Sequence, residues 1–257
     1  MAIDLEIDGH IALITINRPE RLNAMDADAY KALSEAWCRV RDDVSIHCAV
    51  VTGAGDKSFT VGADLKTFIT SPTDLSEFWL TQRDLLLNRG LEVWKPVIAA
   101  VNGYCLGGGM TLLLATDIRI AAPHATFGLS EVKRGILAGN GGTQRILEQL
   151  PYARAMELLL TGDPIDARLA LEWGLINRVV EPSELLEAAM GFARRIAANA
   201  PLAVQATKES AVRSRELGLV AGLRFEQILN RILLFSEDAK EGPAAFAAKR
   251  EARYAGR

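Results

Sequence analysis

Residues 101–111 read VNGYCLGGGMT and join a β-branched run, Val97–Val101, to a short apolar helix predicted over residues 109–115. Three consecutive glycines before a helix let the backbone come close to a ligand. They also direct the N–H groups of the first turn, at the positive end of the helix dipole, toward negative charge. A close-packed helix start without a ligand has the same sequence pattern. The stretch alone therefore leaves both interpretations open.

Strand-like and helix-like segments alternate on both sides of this stretch. Apolar runs closed by turn residues predict strands at residues 11–16, 49–52, 97–101, 118–121 and 176–180. Residues 27–40 place apolar side chains at helical spacing. From about Pro151 onward the pattern is helical, over residues 152–160, 165–173, 183–199, 202–215, 219–236 and 238–249, with starts expected at Asp163-Pro164 and Glu181-Pro182-Ser183. We predict an α/β body over residues 1–195 and a helical C-terminal region over 196–257.

Composition excludes several classes of protein. The chain has 257 residues, 49% of them hydrophobic, and a net charge of −3. A nucleic-acid binder would usually show a basic excess, which is not present. The sequence contains neither an apolar run of ~18–20 residues nor a signal-peptide core, so we expect a cytoplasmic protein. The cysteines and histidines lack the paired spacings of disulfide frameworks or zinc sites, and we predict no metal.

Two other segments carry candidate chemistry. Residues 58–65 read SFTVGADL, and a glycine before a small residue and an acid predicts a tight turn that leaves the Ala63 N–H free. Residues 126–133 read TFGLSEVK, with Glu131 among apolar and small residues. If Glu131 is buried, its pKa rises, which suits general acid/base catalysis. An ordinary turn and a capping or salt-bridged glutamate are the alternatives.

A dinucleotide-binding loop is the rival interpretation of the glycine-rich stretch. The glycines are consecutive rather than spaced as GxGxxG, and no acidic residue follows at the end of a suitable second strand. The sequence therefore argues against a nicotinamide or flavin dinucleotide.

In this order and spacing, the three segments resemble the crotonase (enoyl-CoA hydratase/isomerase) superfamily. The resemblance covers almost the whole chain and includes NRPERLNA at 17–24, LTG at 160–162, ALEWGL at 170–175 and EGPAAFAAKR at 241–250. It implies an α/β fold, a crotonase-type (ββα)n spiral core with a helical C-terminal trimerisation region, commonly assembled as a dimer of trimers. Such motifs are specific for the superfamily and poorly specific for the reaction.

The resemblance also implies roles for individual residues. Ala63 and Gly108 match the two backbone N–H donors that hold a thioester oxygen, and Glu131 matches an acid/base. Coenzyme A is then part of the substrate thioester, and no permanently bound cofactor is implied. The positions that match the family's CoA contacts are Arg21, Leu22, Ala24, Val61, Asp64 and Leu65, with Phe246 and Lys249 often reaching CoA from a neighbouring subunit.

The chain departs from the family's hydratases at Thr111, where those enzymes typically carry a second glutamate. A threonine hydroxyl can hydrogen-bond a water but cannot act as a carboxylate base near neutral pH. Glu131 is left as the single matched acid/base, which favours an isomerase or lyase with one proton shuttle and predicts slow hydration. Asn140 lies near a position where some relatives carry an extra acid.

Two alternatives remain at this point. One is a hydratase/dehydratase in which Glu131 alone activates water and Thr111 helps to place it. The other is a non-catalytic CoA- or RNA-binding relative, against which the acidic balance and the retained Glu131 argue. No motif indicates the acyl group, and the apolar candidates for its tunnel, which are equally good core residues, are Phe68, Phe78, Trp79 and Leu137.

Overall fold

The structure, a computed structural model, describes residues 2–64, 66 and 85–257. Leu65, one of the predicted CoA contacts, lies outside the described residues. So do Phe68, Phe78 and Trp79, three of the four candidates for the acyl tunnel.

The strands, in chain order, are β1 (Ile3–Asp8), β2 (Ile11–Ile16), β3 (Cys48–Gly53), β4 (Ser58–Thr60), β5 (Val97–Val101), β6 (Tyr104–Leu106), β7 (Ile118–Ala121), β8 (Thr126–Gly128), β9 (Ile165–Asp166) and β10 (Arg178–Val179). The helices are α1 (Ala27–Asp42), α2 (Gly108–Leu113), α3 (Gly142–Gln149), α4 (Tyr152–Thr161), α5 (Ala167–Glu172), α6 (Leu185–Ala197), α7 (Pro201–Arg213), α8 (Leu219–Leu233) and α9 (Asp238–Ala247). Short 3₁₀ helices span Pro19–Arg21, Glu131–Arg134 and Pro182–Glu184.

The strands form two sheets, and from β3 to β8 the chain adds strands to the two sheets alternately. The larger sheet has the order β1-β2-β3-β5-β7-β10, and the smaller one has the order β4-β6-β8-β9. β3 is followed by β4, β5 by β6 and β7 by β8, so each pair contributes one strand to each sheet. The strands of successive pairs align in parallel in both sheets. This repetition is the predicted arrangement of ββα units.

The larger sheet is buried on both faces, which explains why its central strands are almost continuously apolar. On one face, α1 buries Leu33 and Trp37 in the main core. On the other face, α6 buries Ala189 and Met190 against strand residues that include Val50. The turn after β5 is fixed by Asn102, whose side-chain amide donates to the Gly53 and Gly55 carbonyls at 2.8 and 2.7 Å.

The predicted helices after Pro151 are confirmed, with ends that differ by a few residues. The start predicted at Asp163-Pro164 is wrong, because β9 intervenes and Asp166 caps α5 by accepting from the Leu169 N–H at 2.7 Å. The strand predicted at 176–180 is reduced to the two residues of β10. Residue 195 lies in the last turn of α6, and the division of the chain there stays a prediction. None of the described helices is long and apolar enough to cross a membrane.

Candidate active site

The turn at Gly62 and Ala63 lies directly against the start of α2. Two hydrogen bonds with Met25 hold the turn, Met25 N–H to the Gly62 carbonyl at 2.8 Å and Asp64 N–H to the Met25 carbonyl at 2.9 Å. Gly62 has a φ of +84°, and a methyl group built on it would lie 2.4 Å from the Gly108 nitrogen. Only glycine permits this approach of the two backbones.

The two predicted N–H donors are brought together at this contact. A methyl group built on Gly108 would lie 3.5 Å from the Ala63 nitrogen. Within the described residues, neither the Ala63 nor the Gly108 N–H donates a backbone hydrogen bond, whereas Gly107 N–H donates to the Gly128 carbonyl at 2.9 Å and Thr111 N–H donates to the Gly107 carbonyl at 3.0 Å. Two free donors side by side at a helix start can stabilise a developing oxyanion.

Glu131 opens a 3₁₀ helix just after β8 and faces the same glycine turn. A methyl group built on Gly107 would lie 3.5 Å from Glu131 Oε1. The other oxygen, Oε2, is buried and has no hydrogen-bond partner in the described part of the chain. Burial raises the pKa of the Glu131 carboxyl, and its own N–H and Arg134 oppose this only in part. The site therefore holds a carboxyl group that can exchange a proton near the donor pair.

Thr111 lies on α2 and is buried, with its hydroxyl already engaged. The hydroxyl donates to the Gly108 carbonyl at 3.0 Å and accepts from the Asn88 side-chain amide at 3.0 Å. Arg145 extends the network by donating to the Asn88 and Asn140 carbonyls at 3.1 and 3.0 Å. The proton of the hydroxyl and one of its lone pairs are thus used to hold the helix turn that carries Gly108.

The predicted CoA contacts near the N-terminus also meet at this turn. Asn23 is fully buried and has a φ of +55°. Its side-chain amide donates to the Ser58 carbonyl at 2.7 Å, and this hydrogen bond holds Leu22 and Ala24 beside residues 61–64. Arg21 forms an ion pair with Asp64 at 3.0 Å. Burial acts to raise the pKa of Asp64, but the bonds from Arg21 and the Lys66 N–H hold it below its ordinary value. The residues brought together here are Arg21, Leu22, Ala24, Val61 and Asp64.

Phe246 and Lys249 are not part of this assembly. Phe246 lies near the end of α9 with 87% of its surface exposed, and Lys249 follows the helix at a φ of +52°. Within the described residues, no hydrogen bond or ion pair joins either of them to the residues around Gly108 and Glu131. Their contact with CoA, expected from a neighbouring subunit, stays a prediction.

Tyr30 was not singled out from the sequence as a site residue, because its spacing placed it on the apolar face of α1. Its hydroxyl lies 3.2 Å from the position that a methyl group on Gly108 would take. Burial raises the pKa of Tyr30 to about 12, an effect that Arg89 partly opposes. A neutral phenol group therefore lies beside the donor pair. The one available signal was a polar tip on an otherwise apolar helix face.

An apolar cavity of about 170 Å³ adjoins Glu131. Leu129, Leu137, Met156 and Leu159 contribute to its wall. Leu137 is 69% exposed, so the prediction that it is a core residue is wrong. The alternative, that Leu137 lines a ligand pocket, stays a prediction.

Comparison with known proteins decides the family. The model of the enoyl-CoA hydratase/isomerase family matches residues 6–257. The chain is 44% identical to (E)-benzylidenesuccinyl-CoA hydratase of Thauera aromatica, with all of both chains covered. It is 41% identical to a carnitinyl-CoA dehydratase of Salmonella arizonae, covering 99% of this chain and 98% of the relative.

The chain belongs to the enoyl-CoA hydratase/isomerase family. Solved structures of this family have the same fold. The enoyl-CoA hydratase of Bacillus anthracis matches with a TM-score of 0.94 and 34% identity, with both chains covered completely. The enoyl-CoA hydratase of Mycobacterium tuberculosis matches with a TM-score of 0.90 and 40% identity, over 100% of this chain and 99% of that one. The expected superfamily and fold are confirmed, and the chain is an acyl-CoA-processing enzyme of the hydratase/isomerase type.

Proposed function

We propose that this enzyme adds water reversibly to the C2–C3 double bond of a 2-enoyl-CoA ester, with Glu131 as its single acid/base. The observation that carries the proposal is the buried Oε2 of Glu131, which has no partner among the described residues, beside a turn with two N–H groups that donate no backbone hydrogen bond there. The names of the two relatives, a hydratase and a dehydratase, support water chemistry over other reactions of an enolate.

In this proposal the thioester oxygen accepts hydrogen bonds from the Ala63 and Gly108 N–H groups. Water adds to C3, the electron pair of the double bond moves toward the thioester, and the oxygen gains enolate character. A preorganised donor of this kind typically contributes about 3–4 kcal/mol to stabilisation of the oxyanion. Thr111 and Gly62 fix the backbone that carries the two N–H donors. The donors therefore need little reorganisation when the charge forms.

Glu131 transfers both protons of the addition. Its carboxylate takes a proton from the water that attacks C3, and the resulting carboxylic acid protonates C2, so that the residue ends the cycle as it began. The raised pKa suits a group that must be both base and acid in one turnover. Thr111 contributes no second carboxylate, and its predicted role in placing the water would use its remaining lone pair.

Isomerisation of a double bond is the second candidate, and the hydrogen bonds of Thr111 favour it specifically. Moving a double bond between C2–C3 and C3–C4 needs one proton shuttle on one face and no activated water. Glu131 can supply that shuttle, and the engaged hydroxyl of Thr111 would not take part.

The deciding experiment is incubation of the enzyme with short and medium 2-enoyl- and 3-enoyl-CoA esters, with products separated by retention time and mass. We expect 2-enoyl esters to gain the mass of one water. Conversion of 3-enoyl esters to isomers of equal mass, without hydrated product, would replace the hydratase proposal by the isomerase one.

We also propose that the enzyme binds CoA through the cluster around the ion pair of Arg21 and Asp64, and that it assembles as a trimer or dimer of trimers. The support for assembly is the exposure of large apolar side chains on and after α8, with exposed fractions of 79% for Leu219, 83% for Val220 and 88% for Phe235. In an oligomer, Phe246 and Lys249 can contact a neighbour's CoA. Light scattering that gives the mass of a monomer at micromolar concentration would contradict this.

A further inference from the structure

The cavity beside Glu131 is lined mainly by apolar side chains from three parts of the fold. Leu129 follows β8, Leu137 follows the 3₁₀ helix that starts at Glu131, and Met156 and Leu159 project from α4. Among its described lining residues, Glu131 is the one that can ionise, and Thr143 is the one other polar side chain. The Thr143 hydroxyl is already engaged, because it donates to the Gln144 side-chain oxygen at 2.9 Å.

The size and polarity of the cavity limit what it can hold. Apolar protein cavities of roughly 150 Å³ stay dry and bind benzene, and this one has about 170 Å³. A cationic group would leave water for a mostly apolar wall in which Glu131 is the one described side chain that could pair with it, so the loss of its hydration is poorly compensated. An anionic group would lie next to the same carboxylate without a cationic partner in the described wall.

We propose that this cavity is the subsite for the distal end of the acyl group, and that it selects an uncharged apolar group about the size of a six-membered ring. The inference rests on the proposed function, because Glu131 borders the cavity and, in that function, activates the water that attacks C3 and protonates C2. A group attached at or near C3 can therefore enter the cavity while the thioester oxygen lies at Ala63 and Gly108.

Calorimetric binding of saturated esters tests the size of the subsite without requiring turnover. We expect 3-phenylpropanoyl-CoA to bind the full-length enzyme about 10-fold or more tightly than butanoyl-CoA, because the ring leaves water for an apolar wall. Met156→Trp fills the cavity and should bring the ratio of the two affinities close to one. The control is Ala153→Trp, which introduces the same side chain on the exposed face of α4 and should keep the preference. Equal affinity for both esters in the wild type would overturn the proposal.

A second variant keeps the test decisive if Met156→Trp does not fold. Leu159→Ala enlarges the cavity, so 3-(2-naphthyl)propanoyl-CoA should gain at least ~5-fold in affinity relative to the phenyl ester. An unchanged ratio of the two affinities would mean that Leu159 does not face the ligand and would contradict the assignment.

The charge preference is tested with a pair of esters of equal shape. We compare 5,5-dimethylhex-2-enoyl-CoA with 4-trimethylammoniobut-2-enoyl-CoA, in which a tert-butyl group is replaced by a trimethylammonium group. The neutral ester should be turned over with about 10-fold or more higher specificity (kcat/KM) than the cation, because the apolar wall does not compensate for desolvation of the charge. A preference for the cation would overturn the selection for uncharged groups.

Failure of this inference can be told apart from failure of the proposed function. Preferential binding of the phenyl ester without turnover of any enoyl-CoA would retain the subsite and reject the hydratase. Hydration of crotonyl-CoA with no preference for the phenyl ester in binding would retain the hydratase and reject the subsite.

Discussion

Glu131 and Thr111 flank the glycine turn at the start of α2, and the protein uses them in opposite ways. The Thr111 hydroxyl donates to the Gly108 carbonyl and accepts from Asn88, so it is engaged on both sides. Glu131 Oε2 is buried without a partner in the described residues, and burial raises the pKa of the carboxyl. A buried polar atom without a partner usually costs stability, by about 1–3 kcal/mol.

The difference in hydrogen bonding indicates different roles for Thr111 and Glu131. Thr111 stabilises the backbone that holds the oxyanion donors in place, whereas Glu131 keeps an atom free at the expense of stability. Such an unsatisfied group in a folded protein calls for an explanation, and proton transfer to a substrate supplies one. The comparison predicts that substitution of Glu131 affects chiefly catalysis and that substitution of Thr111 affects chiefly the framework.

The largest effect is expected for Glu131→Gln. The substitution preserves shape and removes the titrating group, so kcat should fall by roughly 10²–10⁴ with little change in CoA affinity. In the wild type, kcat/KM should decline as the pH falls through a pKa above the ordinary glutamate range, because the base must start ionised. Steady-state kinetics on crotonyl-CoA across pH checks both points. Unchanged turnover in the variant would remove Glu131 from the mechanism.

The next effect concerns the contact that brings the two donors together. Gly62→Ala places a methyl group 2.4 Å from the Gly108 nitrogen at a φ of +84°, so the backbone must shift and the donor pair is disturbed. We expect kcat to fall at least ~10²-fold. Gly174→Ala is the matched control, since its φ is +77° and, within the described residues, no atom lies within 4 Å of the added carbon.

The control separates backbone strain from closure of the site. Both variants should lose stability in thermal unfolding, by on the order of 1 kcal/mol for a side chain at a positive φ, and Gly62→Ala should lose more because of its contact with Gly108. Only Gly62→Ala should lose activity. Equal activity of the two folded variants would mean that the approach of Gly62 to Gly108 does not form the oxyanion site.

The parts of the site that could be predicted from sequence are those whose constraint is local. Consecutive glycines at 107–109 and the glycine before Ala63 are visible as patterns, because each glycine is required by a turn or a close approach. The matched roles of Ala63, Gly108 and Glu131 came from the family resemblance and stay proposals, although the structure brings the three residues together. The central strands were predicted because both of their faces are buried.

The parts that could not be predicted depend on contacts between distant positions. Asn88 meets Thr111 across 23 residues and Arg145 reaches the Asn88 carbonyl across 57, and neither spacing follows a helical or strand period. The hydroxyl of Tyr30 reaches the site from a helix whose spacing indicates only a core face. β4, β6 and β8 were missed because three residues are too few to show an alternating pattern.

A moderate effect is expected when the second carboxylate is restored. Thr111→Glu should raise hydration of crotonyl-CoA by about 10-fold, because two carboxylates can then divide the two proton transfers. Isomerisation of a 3-enoyl-CoA should change less. Thr111→Gln, of equal size and without a charge, is the control. Fast hydration by the wild type, with no gain in the variant, would show that one carboxylate is sufficient.

The smallest effect on rate is expected for Thr111→Val, which preserves the shape of the side chain and removes its hydroxyl. The Asn88 amide and the Gly108 carbonyl each lose a partner in a buried place, so the free energy of unfolding should fall by about 1–3 kcal/mol. If the hydroxyl serves the framework and not the chemistry, turnover should change by less than about 3-fold, in contrast to the loss in Glu131→Gln. Urea unfolding and crotonyl-CoA kinetics on Thr111→Val and Glu131→Gln check this contrast between loss of stability and loss of turnover. If a folded Thr111→Val enzyme instead lost turnover by about 10²-fold, as expected for removal of a group that takes part in the chemistry, Thr111 would be a catalytic residue rather than part of the framework.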